Sequence, residues 1–446
     1  MSSPTASPLL TDLYELTMLQ TYFERGMTDT AVFEFFVRKL PAHRGFLLAA
    51  GLEQALGFLS DLRFADNDLE WIRRSGKFSK DLADKLATLR FDGDVHAMPE
   101  GTAFFGDEPI LRVTAPMPQA QLVETRLINI LHFQTLIASK AARVVLTAPG
   151  KLLVDFGLRR AHGAEAGLLS ARAGYIAGFA GTSNVLAAAQ FNISAFGTMA
   201  HSFIQAHDNE AEAFENFARS HPKNVTLLID TYDTEAGARK VAALAPRLQA
   251  AGIALQAVRI DSGDLAAHAI AVREILDASG LRDVRIFASG SVDEYLIRDF
   301  TARGAPIDGY GVGTHLDTSS DAPYLDCVYK IQEYAGRARR KRSTGKATWP
   351  GRKQVFRHYN ADGIMRGDTL TIEGDNQDGE ALILPVMRAG RRLAPQETLD
   401  TIRARAAREL KRLPANLRAL DDDAVYPVTV APKLRTLAEE VDAAFP

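Results

Sequence analysis

Clusters of polar residues recur along the middle of the chain, each directly after a short apolar run. They combine glycine with hydroxyl, carboxylate and basic side chains, and they are Asp155–Arg160, Gly197–Ser202, Asp230–Thr234, Arg259–Asp264, Ala288–Ser291 and Gly311–Thr314. Glycine lets backbone N–H groups approach an oxyanion, hydroxyls add donors, and a following helix N-terminus adds about half a positive charge. These residue types predict phosphate chemistry.

The third and fourth clusters contain four aspartates, at positions 230, 233, 261 and 264. A carboxylate does not bind phosphate directly, but it can hold Mg²⁺ or its waters, or accept hydrogen bonds from ribose hydroxyls. Taken alone, each candidate has an ordinary structural explanation: Gly311–Gly313 is typical of a tight strand end, Arg159 of a surface residue and His201 of a structural histidine. Their recurrence at equivalent positions of successive units favours one shared site.

The apolar runs that precede the clusters have strand composition. They are Leu152–Leu158, Ile193–Gly197, Val225–Ile229, Ala254–Ile260, Val284–Ala288 and Tyr310–Val312. Helical stretches alternate with them, and near-continuous apolar runs at this spacing are typical of parallel strands buried on both faces. The pattern predicts a β/α barrel, in which all strand ends meet at one face. An open doubly wound sheet is the alternative, because periodicity does not show closure.

The residues outside this region follow a different pattern. Leu10–Arg25 and Phe46–Leu62 are predicted helices, and Ala31–Leu40 is a predicted strand. Between Asp94 and Pro116 the short apolar segments are broken by Pro and Gly, as in an antiparallel sheet. The first part of the chain therefore reads as a separate α+β domain.

Composition limits the classes of protein that the chain can belong to. Of its 446 residues 46% are hydrophobic and 24% charged, which indicates a globular core, and the formal net charge of -3 argues against a chain-wide basic field for nucleic acid or acidic membrane. The single cysteine, Cys327, excludes an internal disulfide framework and is compatible with a reducing cytosol. Met1–Leu10 lacks signal-peptide features, and no apolar run approaches about 18 residues. We expect a cytoplasmic protein with no membrane or nucleic-acid partner.

One basic run, Arg337–Arg342, needs a separate interpretation. Such a run is found in nucleic-acid and nuclear-localisation patches. The net charge and the lack of interleaved aromatic residues favour a solvated loop or a contact with a phosphate-bearing substrate.

Nine segments, in order from Thr11 to about Arg357, resemble the motif set of nicotinate phosphoribosyltransferase. They are "LLTDLYELTM", "DFGLRRAHG", "GTSNVLAA", "FGTMAHSF", "LLIDTYDT", "VRIDSGDL", "ASGSVDE", "GYGVGTHL" and "GKATWPGRKQVFR". The resemblance implies an α/β protein of the type II phosphoribosyltransferase fold: an irregular β/α barrel, residues 126–344, packed on an α+β domain built from both termini, residues 1–125 and 345–446. It also implies a homodimer with composite active sites.

The same resemblance implies a reaction. Nicotinate and phosphoribosyl pyrophosphate (PRPP) would give nicotinate mononucleotide and pyrophosphate in NAD biosynthesis, with Mg²⁺ as cofactor. ATP would be a co-substrate, hydrolysed through a phosphorylated histidine. His201 matches that histidine, and its neutral imidazole, the majority form near pH 7 for an unperturbed pKa of about 6.5, is a competent nucleophile toward the terminal phosphate of ATP.

Further roles are carried over position by position. Phe156 and Tyr14 match aromatic residues that stack on the pyridine ring, with Tyr14 supplied by the neighbouring subunit. Arg159 and Arg259 match positions near the pyridine and phosphoribosyl groups, where guanidinium suits carboxylate or phosphate, and Arg259 is expected to be catalytic. The remaining matches are catalytic or metal-facing Asp261, metal-facing Asp264, phosphate-holding Ser289, Gly290, Gly311, Gly313 and Thr314, and substrate-binding Thr182, Ser183, Asp230, Ser262 and Gly263.

Ser183 bears on the choice of substrate. In amide-specific relatives the matching position looks to be an aspartate, which would accept a hydrogen bond from nicotinamide and repel nicotinate. A serine hydroxyl can donate to a carboxylate, so the chain is expected to prefer nicotinate. A helix-capping role for Ser183 is the structural alternative.

Three other functions stay open. A nicotinamide phosphoribosyltransferase would share the fold and mechanism, and a non-catalytic barrel could retain a phosphate cradle for sensing. Quinolinate phosphoribosyltransferase has a similar architecture without the phosphohistidine, so ATP dependence separates it from nicotinate phosphoribosyltransferase.

Overall fold

The computed structural model of the chain describes residues 7–421 and 424–445. The strands are β1 (Thr30–Val37), β2 (Leu47–Leu48), β3 (Asp94–Ala97), β4 (Ala103–Phe104), β5 (Pro109–Pro116), β6 (Leu152–Asp155), β7 (Gly181–Thr182), β8 (Ser194–Ala195), β9 (Val225–Leu228), β10 (Leu255–Ile260), β11 (Arg285–Ala288), β12 (Gly309–Val312), β13 (Cys327–Tyr334), β14 (Arg337–Ala338), β15 (Lys353–Tyr359), β16 (Met365–Ile372), β17 (Glu380–Ala381), β18 (Leu384–Arg388), β19 (Arg391–Arg392) and β20 (Val428–Val430).

The α-helices lie between these strands and at the carboxyl end. They are α1 (Leu13–Glu24), α2 (Leu52–Ser60), α3 (Asp66–Arg74), α4 (Lys80–Thr88), α5 (Met117–Leu122), α6 (Glu124–Thr147), α7 (Ala164–Ala177), α8 (Val185–Phe191), α9 (His201–Gln205), α10 (Glu210–Ser220), α11 (Thr234–Ala250), α12 (Leu265–Ala278), α13 (Glu294–Ala302), α14 (Thr314–Asp317), α15 (Leu399–Arg412), α16 (Ala415–Arg418) and α17 (Pro432–Ala444). A 3₁₀ turn covers Leu158–Arg160.

The described residues form two units. The terminal unit contains the chain up to Ser139 and from Tyr324 onward, and the central unit is Lys140–Pro323. The sequence places the corresponding boundaries at 125/126 and 344/345, and the first of these falls inside α6, which is one continuous helix. Residues 1–6, 422–423 and 446 of the expected terminal domain lie outside the described residues.

The central unit is built on a parallel seven-stranded sheet of order β8-β7-β6-β12-β11-β10-β9. β12 is the last strand of this sheet along the chain and β6 is the first. The two pair in parallel, with Gly309 opposite Leu152 and Val312 opposite Asp155. A doubly wound sheet instead places its first strand beside one from the middle of the order, so this pairing indicates a curled sheet of barrel type. Among the described strands β8 and β9 are the two edges, and the ring stays open between them. The prediction of an irregular β/α barrel is confirmed.

The ends of the helices in the central unit follow from the sequence. An Asn or Asp side chain accepts a hydrogen bond from the backbone three residues on at the N-termini of five described helices, α8, α10, α11, α12 and α13. Such caps satisfy N–H groups that have no partner inside the helix. After α11 and α12 the chain turns at Gly252 and Gly280, whose φ values of +72° and +74° favour glycine.

The terminal unit is an α+β structure with a seven-stranded antiparallel sheet, a four-stranded sheet in which β16 and β20 pair in parallel, and a two-stranded sheet. Strand β1 is central in the first of them, where it pairs antiparallel with both β5 and β13. Buried and exposed side chains do not alternate along β1, because all its residues after Thr30 are buried. The predicted helix at Phe46–Leu62 starts later, at Leu52, because Gly51 adopts a φ of +102° and a Cβ there would lie 2.9 Å from the carbonyl oxygen of Ile130.

The longest described helix, α6, has 24 residues. Charged side chains interrupt its apolar surface, among them Glu124, Lys140 and Arg143. Among the helices in the described part of the chain, none is long and apolar enough to cross a membrane.

Candidate active site

A pocket of about 360 Å³ opens among the polar loops that follow the barrel strands. Every residue that lines it belongs to the central unit, and the lining consists of Phe156, Leu158, Arg159, Ser183, Gly197, Thr198, Met199, Ala200, His201, Leu228, Arg259 and Asp261. The pocket therefore brings together six of the predicted site residues, which carry aromatic, hydroxyl, basic, acidic and imidazole groups. It contains three distinct sets of contacts.

The first set surrounds His201, which begins α9. Its Nδ1 lies 3.1 Å from the hydroxyl oxygen of Thr231, and its Nε2 lies 3.8 Å from Oδ2 of Asp261. The side chain is 39% exposed, so the imidazole is accessible from the pocket. Thr231 belongs to a polar cluster of the sequence but has no predicted role, and its position after β9 is the signal that could have assigned one.

The second set is built on the Arg259 guanidinium, which contacts five residues, among them Ser289, Asp261 and Phe156. Its Nε donates to Oγ of Ser289 at 2.8 Å, and its Nη2 lies 2.7 Å from Oδ1 of Asp261. It also lies over the Phe156 ring, 5.3 Å from the ring centroid. Burial acts to raise the pKa of Asp261, but the Ser289 hydrogen bond and the Arg259 charge outweigh it and hold that pKa below its ordinary value. Asp261 is therefore an anion that stays fixed beside His201.

Asp230 builds the loop that follows β10. Its Oδ2 accepts hydrogen bonds from the Asp261 N–H at 2.9 Å and from the Ser262 hydroxyl at 2.5 Å. Its Oδ1 is buried and has no hydrogen-bond partner among the described residues. Gly263 continues this loop with a φ of +77°, which glycine adopts without strain. Asp230 thus supports Asp261 and also has one oxygen left to accept a hydrogen bond.

The third set surrounds Phe156. Its ring lies 5.8 Å from the ring of Phe287, centroid to centroid. A Cβ on Gly311 would lie 2.5 Å from the Phe156 ring, so Gly311 makes room for this ring. Thr182 is fully buried and donates to Oδ2 of Asp155 at 2.7 Å, whereas Ser183 lies at the pocket wall. The structure gives Thr182 and Gly311 contacts that support the pocket.

The loop expected to hold phosphate has an unusual backbone. Gly290 and Ser291 follow one another with φ values of +97° and +54°. A Cβ on Gly290 would lie 2.0 Å from the carbonyl oxygen of Asp261, so no other residue fits there. A backbone turn can aim N–H groups at an anion, which suits the phosphate role expected of this loop. Gly313 and Thr314 open α14, where a Cβ on Gly313 would lie 3.0 Å from the Phe156 carbonyl oxygen.

Two predicted residues, Tyr14 and Asp264, neither line the pocket nor take part in the contacts described above. Tyr14 belongs to the terminal unit, on α1, and is 45% exposed. Asp264 caps α12 and forms a 2.7 Å ion pair with Arg303, and the hydrogen bond from Arg303 lowers the pKa of Asp264.

A metal ion would find few free ligands here. Asp261 and Asp264, the two predicted metal residues, are each paired with an arginine. Across residues 7–421 and 424–445 no three His, Cys, Asp or Glu side chains are arranged to hold a metal ion. The unpartnered Oδ1 of Asp230 can accept a hydrogen bond from a metal-bound water. The donor set fits a metal that arrives with ligands on a substrate, and it does not fit a cage made by the protein alone.

Family models cover most of the chain. Residues 9–132 match the nicotinate phosphoribosyltransferase N-terminal domain, residues 152–334 the nicotinate phosphoribosyltransferase family, and residues 374–438 the C-terminal domain of that enzyme. A Mycobacterium tuberculosis protein named nicotinate phosphoribosyltransferase pncB2 is 50% identical over 96% of this chain and 92% of its own length. A Bacillus subtilis protein named nicotinate phosphoribosyltransferase is 41% identical over 82% of this chain and 76% of its own length.

Solved structures share the fold. The crystal structure of human nicotinic acid phosphoribosyltransferase has a TM-score of 0.87 and 28% identity, and the match covers 97% of this chain and 100% of the human chain. A nicotinate-nucleotide pyrophosphorylase from Pyrococcus furiosus has a TM-score of 0.76 at 24% identity, covering 92% of this chain and 97% of its own, and shares the fold alone. Because three successive family models and a relative of nearly equal length agree, the chain belongs to the nicotinate phosphoribosyltransferase family.

Proposed function

We propose that the protein joins nicotinate to PRPP, giving nicotinate mononucleotide and pyrophosphate for NAD biosynthesis. The observation that carries the proposal is a single pocket in which Phe156, Arg159 and Ser183 lie beside Arg259 and Asp261. An aromatic face, a cation and a hydroxyl suit a pyridine carboxylate. The anion-binding loop after β11 suits the phosphate of PRPP.

In the reaction, the pyridine nitrogen forms a bond to C1 of the ribose while the bond from C1 to the pyrophosphate oxygen breaks. Phe156 would hold the ring face, and Arg159 and Ser183 would bind the carboxylate, so that the nitrogen is aimed at C1. Asp261, ionised and fixed by Arg259, would stabilise positive charge that develops on the ribose. Mg²⁺ that enters with PRPP would offset charge on the leaving pyrophosphate.

We also propose that ATP hydrolysis is coupled to this reaction through His201, which would make the enzyme an ATP-dependent ligase (EC 6.3.4.21). One ring nitrogen must attack the terminal phosphate while the other is held by a hydrogen bond. Nε2 faces Asp261 at 3.8 Å, so Asp261 would stabilise an N–H at Nε2, while Nδ1, beside the Thr231 hydroxyl, would attack the terminal phosphorus. As the N–P bond forms, the bond from that phosphorus to the ADP oxygen would break and ADP would leave. Water would later hydrolyse the phosphohistidine to release phosphate.

The active site is proposed to be shared within a homodimer. Tyr14 has an aromatic ring suited to the second face of the pyridine, and it is exposed together with Leu10 and Leu13. Exposed apolar side chains that lie close together are typical of an interaction surface. A second copy of the chain would cover them and receive Tyr14.

The test is a parallel assay of mononucleotide formation. The protein is incubated with PRPP and nicotinate, nicotinamide or quinolinate, each with and without ATP. We expect turnover with nicotinate, and we expect ATP to increase its rate. Turnover with nicotinamide or with quinolinate should be at least about tenfold slower. Turnover with nicotinamide alone, or retention of PRPP with no product from any of the three, would contradict the proposal.

A further inference from the structure

Two buried carboxyl groups lie beneath the loop that carries Phe156 and Arg159. Asp155 is the last residue of β6 and Asp317 the last residue of α14, and each is about 1% exposed. A Cβ on Gly157 would lie 2.2 Å from Cγ of Asp317, so this carboxyl group rests directly against the loop backbone. Neither acid lines the pocket, and the reaction described above does not use them.

Asp155 accepts hydrogen bonds from neighbouring donors, whereas Asp317 does not. Oδ1 of Asp155 accepts a hydrogen bond from the Gly157 N–H at 2.8 Å, and Oδ2 accepts one from the Thr182 hydroxyl at 2.7 Å. Neither oxygen of Asp317 has a donor among the described residues. Both carboxyl groups lie against Gly157, so they are neighbours, and a proton on one of them would let it donate a hydrogen bond to the other. Because the two donors stabilise Asp155 as the anion, the proton belongs on Asp317.

The surroundings of the pair keep that proton in place. The charged or titratable groups of the packed elements are Glu165, Arg172 and Tyr175 on α7, Arg159 and Arg160 in the 3₁₀ turn, and His315 on α14. Burial and the charge of Asp155 raise the pKa of Asp317 well above its ordinary value. Burial raises the pKa of Asp155 as well, although Thr182 and the Gly157 N–H oppose this. Two anions in contact at this depth would repel each other strongly.

The pair is also the point at which three substrate-facing loops are joined. The Asp317 N–H donates to the Gly313 carbonyl at 3.1 Å, which ties Asp317 to another residue expected to hold phosphate. The Ser183 N–H donates to the Asp155 carbonyl at 2.8 Å, and the Phe156 N–H donates to the Val312 carbonyl at 2.8 Å. Separation of the two acids would therefore displace Phe156 and Ser183 together.

We propose that Asp317 is a protonated positioning residue, whose hydrogen bond to Asp155 holds the Phe156–Arg159 loop in the form that binds nicotinate. The proposal rests on the assignment of this pocket to nicotinate. Removal of the proton by alkaline pH would push the carboxylates apart and raise the KM for nicotinate, while kcat would change less because Asp261 and Arg259 are anchored elsewhere.

Two variants test this positioning role. In Asp317→Asn the amide donates the same hydrogen bond but has no proton to lose. We expect its kcat/KM for nicotinate to stay within about threefold of the unaltered protein near pH 7, and the alkaline decrease in kcat/KM to disappear. In Asp317→Leu the donor is lost, and we expect the KM for nicotinate to rise about tenfold or more, with a smaller change in kcat.

A matched control is Glu108→Gln in the terminal unit. Glu108 is fully buried, and its pKa is raised well above the ordinary value by burial and by Asp368. We expect Glu108→Gln to leave the pH profile of nicotinate turnover unchanged. An Asp317→Asn protein that keeps the alkaline decrease of the unaltered enzyme would overturn the proposal.

The proton itself can be observed without turnover. A protonated carboxylic acid gives its own infrared carbonyl band, and we expect one such band at neutral pH to be absent from Asp317→Asn, and a different one from Glu108→Gln. If Asp317→Asn loses no band, the proton is not on Asp317 and the proposal fails. If that band is lost but the unaltered protein does not turn over nicotinate, the protonated pair stands and the proposed function fails.

Discussion

The two carboxylate oxygens of Asp261 face different sides of the site. Oδ1 accepts hydrogen bonds from the Arg259 guanidinium and from Ser289, which leaves Oδ2 facing Nε2 of His201. Because the first two contacts fix the carboxylate, its distance to the imidazole is set before any substrate binds. Preorganised charge of this kind costs no rearrangement during a reaction.

The first prediction concerns His201. His201→Ala should abolish ATP hydrolysis while leaving folding intact, because the half-exposed side chain contributes little to the core. γ-Labelled ATP should give an acid-labile phosphate on the unaltered protein. His207→Ala, which removes another partly exposed histidine near the same helix, is the control and should still be labelled. Full labelling of His201→Ala would show that the phosphate is elsewhere.

A second prediction at this scale concerns the choice of acid over amide. Asn184 caps the N-terminus of α8, because its side chain accepts a hydrogen bond from the Ala187 N–H. Ser183 is therefore not needed as the cap and can contact a substrate. Ser183→Asp should lower kcat/KM for nicotinate by at least about 100-fold, or about 2.7 kcal/mol, because a like charge would face the substrate carboxylate. The ratio of nicotinate to nicotinamide turnover should fall.

Ser183→Asn is the neutral control for this change, since it alters size and polarity similarly without adding charge. We expect it to keep a preference for nicotinate. An unchanged ratio in Ser183→Asp would mean that the serine has no part in substrate choice.

At the scale of elements, α1 is tied to the start of α6 by one acid. Glu15 is fully buried, and it accepts hydrogen bonds from the backbone N–H of Thr125 at 2.9 Å and from its hydroxyl at 2.6 Å. Burial raises the pKa of Glu15 to about 7. Between the ordinary pKa of a glutamate and about pH 7, the folded chain keeps this proton whereas the unfolded chain has released it. The free energy of unfolding is therefore highest below the ordinary glutamate pKa and falls as the pH rises through about 7.

We expect the free energy of unfolding to lose up to about 3 kcal/mol between pH 5 and 8 from this group. Glu15→Gln should remove that slope, whereas Glu24→Gln, at the exposed end of the same helix, should retain it. Urea unfolding at several pH values measures both. Equal slopes in Glu15→Gln and the unaltered protein would exclude Glu15 as the source.

The sequence predicts the position of single strands better than it predicts how the strands pair. The strand run at Val225–Ile229 appears as β9, because a parallel strand buried on both faces leaves a continuous apolar run. The order of the strands, and the opening between β8 and β9, depend on pairings between distant residues that no local pattern records. For the same reason the sequence indicates His201 and Asp261, but it assigns no role to Asp317, whose partner lies 162 residues earlier.

At the scale of the whole molecule, a shared active site has a clear test. If Tyr14 comes from a second copy, a mixture of Tyr14→Ala and His201→Ala proteins should regain activity after exchange or refolding together, because hybrid dimers contain one intact site. About a quarter of the activity of the unaltered protein is the upper limit in an equal mixture that pairs at random and in which sites work independently. Each variant treated alone is the control, and mixtures that never exceed it would argue against composite sites.

The pairing of β1 with β13 has a consequence for how the protein is made. The β13 partner of Val37 is Cys327, which the ribosome adds 290 residues later. At about 5–20 residues per second, this apolar strand waits roughly 15–60 s for that neighbour. An unpaired apolar strand edge is a template for aggregation. Newly made chains should thus depend on molecular chaperones, and conditions that slow elongation should lower the soluble yield even when the finished protein is stable.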